Sequence, residues 1–217
     1  MKKIKRYSQF LESYSIDGKI CDEFVALFND DSLEKLPGLI GDQVLNTKVK
    51  SSTDISFADL KNYPIIYEYI KEIDLCCQDY MKTYPSLNYY QSWGIIEPPN
   101  IQKYSPNEGF YQEHFERSSH TFPESHRILG WLTYLNDVEK AGTEFIYQKV
   151  KTQAKKGDTI FFPVDFTFLH KGMISKKEDK YIIAGWYNFL NKGEEDSSPF
   201  KISEIFGSLK KIFTLKK

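Results

Sequence analysis

The chain holds four histidines, His114, His120, His126 and His170. The first stands two residues before a carboxylate in Tyr111-Gln112-Glu113-His114-Phe115-Glu116. On a strand, residues i and i+2 project from the same face, so this imidazole and this carboxylate would converge on one point. His170, which closes the aromatic run Phe166-Thr167-Phe168-Leu169, is the natural source of a second imidazole from a distant strand. Two imidazoles and one carboxylate on one face of an octahedron leave the other positions open, a donor set that suits non-haem iron(II). Spacing alone leaves standing the plainer alternative of an exposed His beside a solvated Glu. Downstream, Lys180 opens the apolar strand Lys180-Tyr181-Ile182-Ile183-Ala184-Gly185-Trp186. A lysine at a strand start is normally solvated. Turned inward, its ammonium needs an anion, and a dicarboxylate bound at the metal would supply one.

The elements that must position these groups change character near Pro85. Before it, helix signals dominate. Ile20, Phe24, Leu27 and Phe28 follow Asp17-Gly18 at helical spacing. Asn62-Tyr63-Pro64 reads as a helix start with Asn62 as cap. Ile66, Tyr69, Ile70, Ile73, Cys77, Tyr80, Met81 and Tyr84 then form one apolar stripe. After Pro85, short runs with turn residues between them predict strands near Tyr89–Ile95, Ile101–Tyr104, Phe110–His114, Arg127–Leu135, Thr143–Tyr147, Lys149–Ala154, Thr159–Phe162, Thr167–His170 and Lys180–Phe189. Lys156-Gly157-Asp158 marks a tight turn between two of them. The expectation is one α+β domain over 1–217: mainly helical support over 1–85, a β-rich sandwich or barrel over 86–190, and an amphipathic helix over 200–217. That last helix sets Ile202, Ile205, Phe206, Leu209, Ile212 and Phe213 among Lys201, Lys210, Lys211, Lys216 and Lys217. It would pack on the domain, lie on an anionic membrane or dock a partner.

Composition removes several classes. With Lys plus Arg at 29 and Asp plus Glu at 30 in 217 residues, the net charge is −1, without the basic excess of a dedicated DNA-binding protein. No nucleic-acid partner is expected. A content of 41% hydrophobic and 27% charged residues is that of a globular chain. The aromatic share of 16% suits pleated, half-buried surfaces. Cys21, Cys76 and Cys77 match neither a disulfide framework nor a zinc motif, which points to a reducing, cytoplasmic compartment. The basic start Met1-Lys2-Lys3-Ile4-Lys5-Arg6 lacks the apolar run of a secretion signal. No stretch approaches the roughly 18 apolar residues that span a bilayer. A soluble protein is expected.

From Ile101 to Phe189 the chain resembles the 2-oxoglutarate- and iron(II)-dependent dioxygenases, specifically the prolyl 4-hydroxylase-like branch. The resemblance rests on Tyr104, Gly109, Tyr111, His114-Phe115-Glu116, Tyr134-Leu135-Asn136-Asp137, Ala141-Gly142-Thr143-Glu144-Phe145, Lys156-Gly157-Asp158, His170, Lys180 and Trp186, in that order. Two positions depart from the pattern. Glu116 stands where most relatives have Asp, and Ala141 replaces the first Gly of a Gly-Gly pair.

The resemblance implies a double-stranded β-helix (jelly-roll) core with N-terminal helices packed on the major sheet. His114, Glu116 and His170 would hold iron(II). Lys180 would pair with the distal carboxylate of 2-oxoglutarate, Tyr104 and Thr143 would hydrogen-bond it, and Trp186 would wall its pocket. The implied reaction uses O2 to hydroxylate an unactivated C–H bond, releasing succinate and CO2, with ascorbate as an optional reductant. A prolyl residue of a peptide or protein is the implied substrate; another side chain or a small molecule stays open. Two rivals remain: a disabled jelly-roll binding protein, and a cupin-type metal enzyme that ignores 2-oxoglutarate. His120 and His126 fall in the polar segment Arg117–Arg127, a solvated loop or a substrate lid, where Arg127 would reach the substrate. Cys76 and Cys77 are expected to pack in the core.

Overall fold

The computed structural model describes residues 2–41, 44–89 and 91–191. The helix expected over 200–217 lies outside the described residues. In chain order the elements are β1 (Lys2–Ser8), β2 (Leu11–Ser15), α1 (Gly18–Phe28), β3 (Leu36–Pro37), β4 (Thr53–Ser56), α2 (Pro64–Thr83) and β5 (Trp93–Gly94). They continue with β6 (Asn100–Tyr104), β7 (Arg127–Tyr134), β8 (Thr143–Phe145), β9 (Val150–Lys151), β10 (Asp158–Pro163), β11 (His170–Gly172) and β12 (Lys180–Phe189). Among the described residues they form a nine-stranded sheet in the order β1-β2-β10-β7-β12-β6-β4-β3, with β5 also paired to β12. A second sheet runs β11-β8-β9. Every named pairing is antiparallel.

Strand alternation sorts the large sheet's side chains into two layers. On its outer face Trp131, Phe161, Ile183 and Tyr187 share one core with Phe24 of α1 and Tyr69, Ile73 and Tyr80 of α2. On its inner face Leu132, Tyr134, Ile160 and Phe162 share a smaller core with Phe145 and Phe168. Register carries the inner face across the sheet. Ile182 of β12 lies opposite Tyr134 of β7 on one side and Gln102 of β6 on the other. Lys180 lies opposite Tyr104. Gly185, on the outer parity, leaves room for Trp131, whose ring would sit 2.3 Å from an added Cβ.

The two helices sit where their apolar stripes predict. Asp17 caps α1 by accepting from the Lys19 amide at 2.9 Å, as an N-cap carboxylate does. The cap of α2 is Tyr63, without a side-chain bond, and Pro64 is the first helical residue. Asn62 is not the cap.

Several expected strands are shorter or absent. The segment 1–85 carries both helices and also four strands, β1 to β4. Phe110–His114 is not a strand. Phe110 and His114 form single bridges to Lys50 and His170, while the Tyr111 amide turns to the Val49 carbonyl at 2.8 Å. No continuous partner strand runs beside it. Tyr89–Ile95 reduces to β5, and Lys149–Ala154 to β9 with one bridge from Ala154 to Val138. Phe166–Phe168 is a 3-10 turn, so His170 begins a strand rather than ending one.

Candidate metal centre

His170 enters the site on β11, and His114 reaches it through mutual backbone hydrogen bonds with His170, both 2.9 Å. This bridge brings the two imidazoles together, with ring centroids 4.4 Å apart and planes tilted by 53°. Each ring is oriented by its own chain. His114 Nδ1 lies 3.0 Å from the Gln112 carbonyl and His170 Nδ1 lies 2.9 Å from the Phe168 carbonyl. A carbonyl only accepts, so Nδ1 carries the proton and Nε2 keeps its lone pair for a metal. Both Nε2 atoms face Glu116 Oε1, at 3.7 Å from His114 and 3.1 Å from His170. Two donors each about 2 Å from an ion and at right angles stand about 3 Å apart, so the spacing suits a facial triad. These three residues are the cluster among the described residues whose donor atoms lie within 4.8 Å of one another.

The electrostatics prepare the triad for a cation. Burial pushes the Glu116 carboxyl up, but the neighbouring His170, His114 and Arg127 outweigh it. The carboxyl is held well below the usual carboxylate range. Burial, and then the neighbouring His170, push the His114 imidazole down to about 4, so it is neutral at pH 7 and available as a donor. Phe110 stacks on His114 with centroids 3.6 Å apart.

All seven sequence-predicted site residues line one cavity of about 580 Å³. His114, Glu116 and His170 come together. Lys180 and Tyr104 stand across from each other on β12 and β6. Lys180 is 3% exposed. Its Nζ donates to the Met173 carbonyl at 2.8 Å and lies 5.0 Å from the Tyr104 ring centroid. Among the described residues it has no carboxylate partner, and burial pushes its ammonium down to about 8. The Tyr104 hydroxyl donates to Gln102 Oε1 at 2.6 Å. Thr143 Oγ1 is hydrogen-bonded to the Tyr134 hydroxyl at 2.8 Å, which also meets Thr152 Oγ1 at 2.7 Å. Trp186 lines the cavity and donates its indole N–H to Glu116 Oε2 at 2.9 Å.

Arg127 is buried, with Nε 2.9 Å and 3.1 Å from the two oxygens of Glu97 and NH2 on the same carboxylate. Asn188 donates to Glu97 Oε1 at 2.6 Å. Glu97, Asn188, Gln102, Tyr134 and Phe110 were not singled out from sequence. Arg127 pairs with Glu97 thirty positions away, a pairing no local pattern announces. Tyr134 was visible only as the start of Tyr134-Leu135-Asn136-Asp137. His120 is exposed, and His126 contacts Ser125 and the Phe122 ring. Neither joins the triad.

Residues 99–188 match the model of the 2OG-Fe(II) oxygenase superfamily. These residues belong to that superfamily. The triad falls inside that span, as do Lys180, Tyr104, Thr143 and Trp186. No curated protein matches the chain. Among solved structures, the chain resembles the viral collagen prolyl hydroxylase of Paramecium bursaria Chlorella virus-1 in its 2OG complex, at 20% identity and TM-score 0.61, over 83% of this chain and 97% of that one. It resembles a Pseudomonas putida prolyl-4-hydroxylase at 14% identity and TM-score 0.62, over 82% and 92%. It also resembles a Trichoplax adhaerens prolyl hydroxylase in complex with a hypoxia inducible factor peptide, at 14% identity and TM-score 0.65, over 84% of each. At these identities the likeness is one of fold. The α+β architecture with antiparallel sheets agrees with them. The family and the His-Glu-His donor set go with iron(II) and 2-oxoglutarate as cofactors. No described helix is long and apolar enough to cross a membrane.

Proposed function

We propose that the oxygenase hydroxylates an unactivated C–H bond, with a prolyl residue of a peptide or protein as substrate. We read the two sheets as the faces of a jelly roll whose open end holds the triad. With iron(II), 2-oxoglutarate and O2 bound, the site supplies oxidative decarboxylation to succinate and CO2 coupled to substrate hydroxylation, with ascorbate as an optional reductant. The protein's part is to bind, orient and exclude water. His114 and His170 offer neutral Nε2 donors, and Glu116 offers Oε1. Lys180 and Tyr104 receive the distal carboxylate at the far end of the cavity, and Thr143 borders the same space. For Tyr104 this requires its hydroxyl to turn from Gln102. The ring of Trp186 forms part of the wall, while Phe110, Leu132 and Phe162 line the cavity with apolar surface.

The observation that carries the assignment beyond a bare metal site is the buried Lys180 with no carboxylate partner among the described residues. A buried ammonium left without an anion is costly. A metal enzyme that ignored 2-oxoglutarate would gain nothing from it. The prolyl assignment draws on the motif resemblance and on what the three similar structures are named for. The experiment is succinate release by the purified protein with iron(II) and 2-oxoglutarate, with and without a proline-containing peptide library, followed by mass spectrometry. A mass gain of one oxygen on proline is expected. Modification confined to another residue type would replace the prolyl assignment. Absence of 2-oxoglutarate turnover in metal-loaded protein would remove the oxygenase reaction itself.

A further inference from the structure

The ladder of the sheets does not place Glu116. Pairing beside it stops at the His114–His170 bridge, and the next backbone contact is the Arg117 amide on the Val164 carbonyl at 3.1 Å. A glutamate also has one more torsion than an aspartate, so its carboxylate can swing, or turn both oxygens to a metal. Side chains supply the missing constraint. Trp186 donates Nε1–H to Glu116 Oε2 at 2.9 Å, the oxygen opposite the one that faces both imidazoles. Arg127 donates NH1 to the Glu116 backbone carbonyl at 2.8 Å and stands 3.8 Å from Oε2. Its guanidinium lies 3.8 Å from the Trp186 ring centroid, close enough for a cation–π contact. Glu97 fixes Arg127 from behind and Asn188 fixes Glu97.

We infer that Trp186 is a positioning residue for the metal ligand: its indole N–H occupies Glu116 Oε2, so that only Oε1 is presented to the ion. The inference rests on the metal-centre assignment above, and gives Trp186 a role additional to walling the cavity. The stack of Arg127 and Glu97 holds the indole plane so that its N–H points at the carboxylate. Coordination through one oxygen keeps a further position open, and an arrangement through both would close it. Hydrogen bonds to the outer oxygen of a ligating carboxylate orient the ligand and tune the metal.

Trp186→Phe keeps an aromatic ring against Arg127 and deletes the N–H alone. The measurements are Mn(II) affinity, as a redox-stable substitute for iron(II), and the d–d spectrum of the Co(II)-loaded protein, which reports coordination number. The expected result is Mn(II) binding weakened by about 10–100-fold, the usual cost of losing such a partner, together with an altered cobalt spectrum. Binding within twofold of the unsubstituted protein, or a loss with an unaltered cobalt spectrum, would overturn the inference. Failure of the unsubstituted protein to bind either ion would instead overturn the metal centre. Should Trp186→Phe lose its far-UV circular dichroism, the unsubstituted Zn(II)-loaded protein gives the second measurement. Its Trp186 indole proton is expected to resist solvent exchange and to lose that protection in Glu116→Ala; a freely exchanging proton would overturn the inference.

Discussion

The two ends of the cavity each bury a cation, and they treat it in opposite ways. At one end Arg127 is 8% exposed and meets Glu97, which is equally buried, through both carboxylate oxygens. At the other end Lys180 is 3% exposed and has a single carbonyl from Met173. A paired buried charge is a fixed part of the scaffold, since removing one partner leaves the other without compensation. A buried charge without its counterion is held ready for a ligand that brings one. Under the proposed function, the pairing state, more than the charge, separates the residue that shapes the site from the residue that would receive a molecule.

The contrast predicts effects of opposite sign. Arg127→Met strands the Glu97 carboxylate and is expected to lower unfolding stability by about 3–5 kcal/mol, read from urea denaturation. A loss below about 1 kcal/mol would erase the distinction from that end. Lys180→Met is expected to weaken 2-oxoglutarate binding by about 10–100-fold, the worth of one charged hydrogen bond, measured by calorimetry on Mn(II)-loaded protein. The same variant should be no less stable than the unsubstituted protein, because methionine has no ammonium to desolvate. A fall in both quantities would make Lys180 a scaffold residue like Arg127.

The same end gives a pH signature. Burial lowers the Lys180 ammonium to about 8, so above pH 8 the free protein releases its proton. An anionic ligand needs the charged form, and its affinity should fall by up to about tenfold per pH unit above that point, with proton uptake on binding. Lys180→Met should flatten the profile. For the unliganded fold the sign is reversed. Between about 8 and the unfolded value near 10.4, the unfolded chain binds the proton that the folded chain has lost. This lysine's contribution to stability therefore rises with pH in that window. The smallest effect is expected at Thr143→Val, which removes the hydroxyl paired with Tyr134. About 1 kcal/mol of stability should be lost, and 2-oxoglutarate affinity should move less than in Lys180→Met.

The chemistry of the site is legible in sequence to the extent that it lies on regular strands or recurs at fixed spacing. Lys180 and Trp186 share a parity on β12, and the structure keeps both on the cavity side. His170 appears as the second imidazole, although the aromatic run before it is a 3-10 turn and not the expected strand. His114 and Glu116 are also found together, though for a different reason than expected. No strand aligns them; one bridge, Arg127 and Trp186 do. Glu97 and Asn188 left no trace, because a buried pair separated by thirty or ninety positions has no local period. The local hairpin β1–β2 was also missed. Lys3, Arg6, Tyr14 and Tyr84 surround a fully buried Glu12, whereas in sequence the basic start is weighed only as a secretion signal. The α2 stripe was plain because twenty residues repeat one period.

A buried polar chain crosses the layer between α2 and the large sheet. Trp131 Nε1 donates to the Tyr69 hydroxyl at 3.1 Å, Tyr69 is hydrogen-bonded to Thr133 at 2.9 Å, and Thr133 to Thr159 at 2.8 Å. Greasy contacts alone tolerate sliding, whereas these directional links are satisfied in one setting of the helix only. They act as an index pin: α2 cannot rotate or step along β7 and β10 without orphaning several hydroxyls together. Since β7 also projects Leu132 and Tyr134 toward the opposite side, the dimensions of the reaction chamber are set in part by a latch on the far side of the sheet.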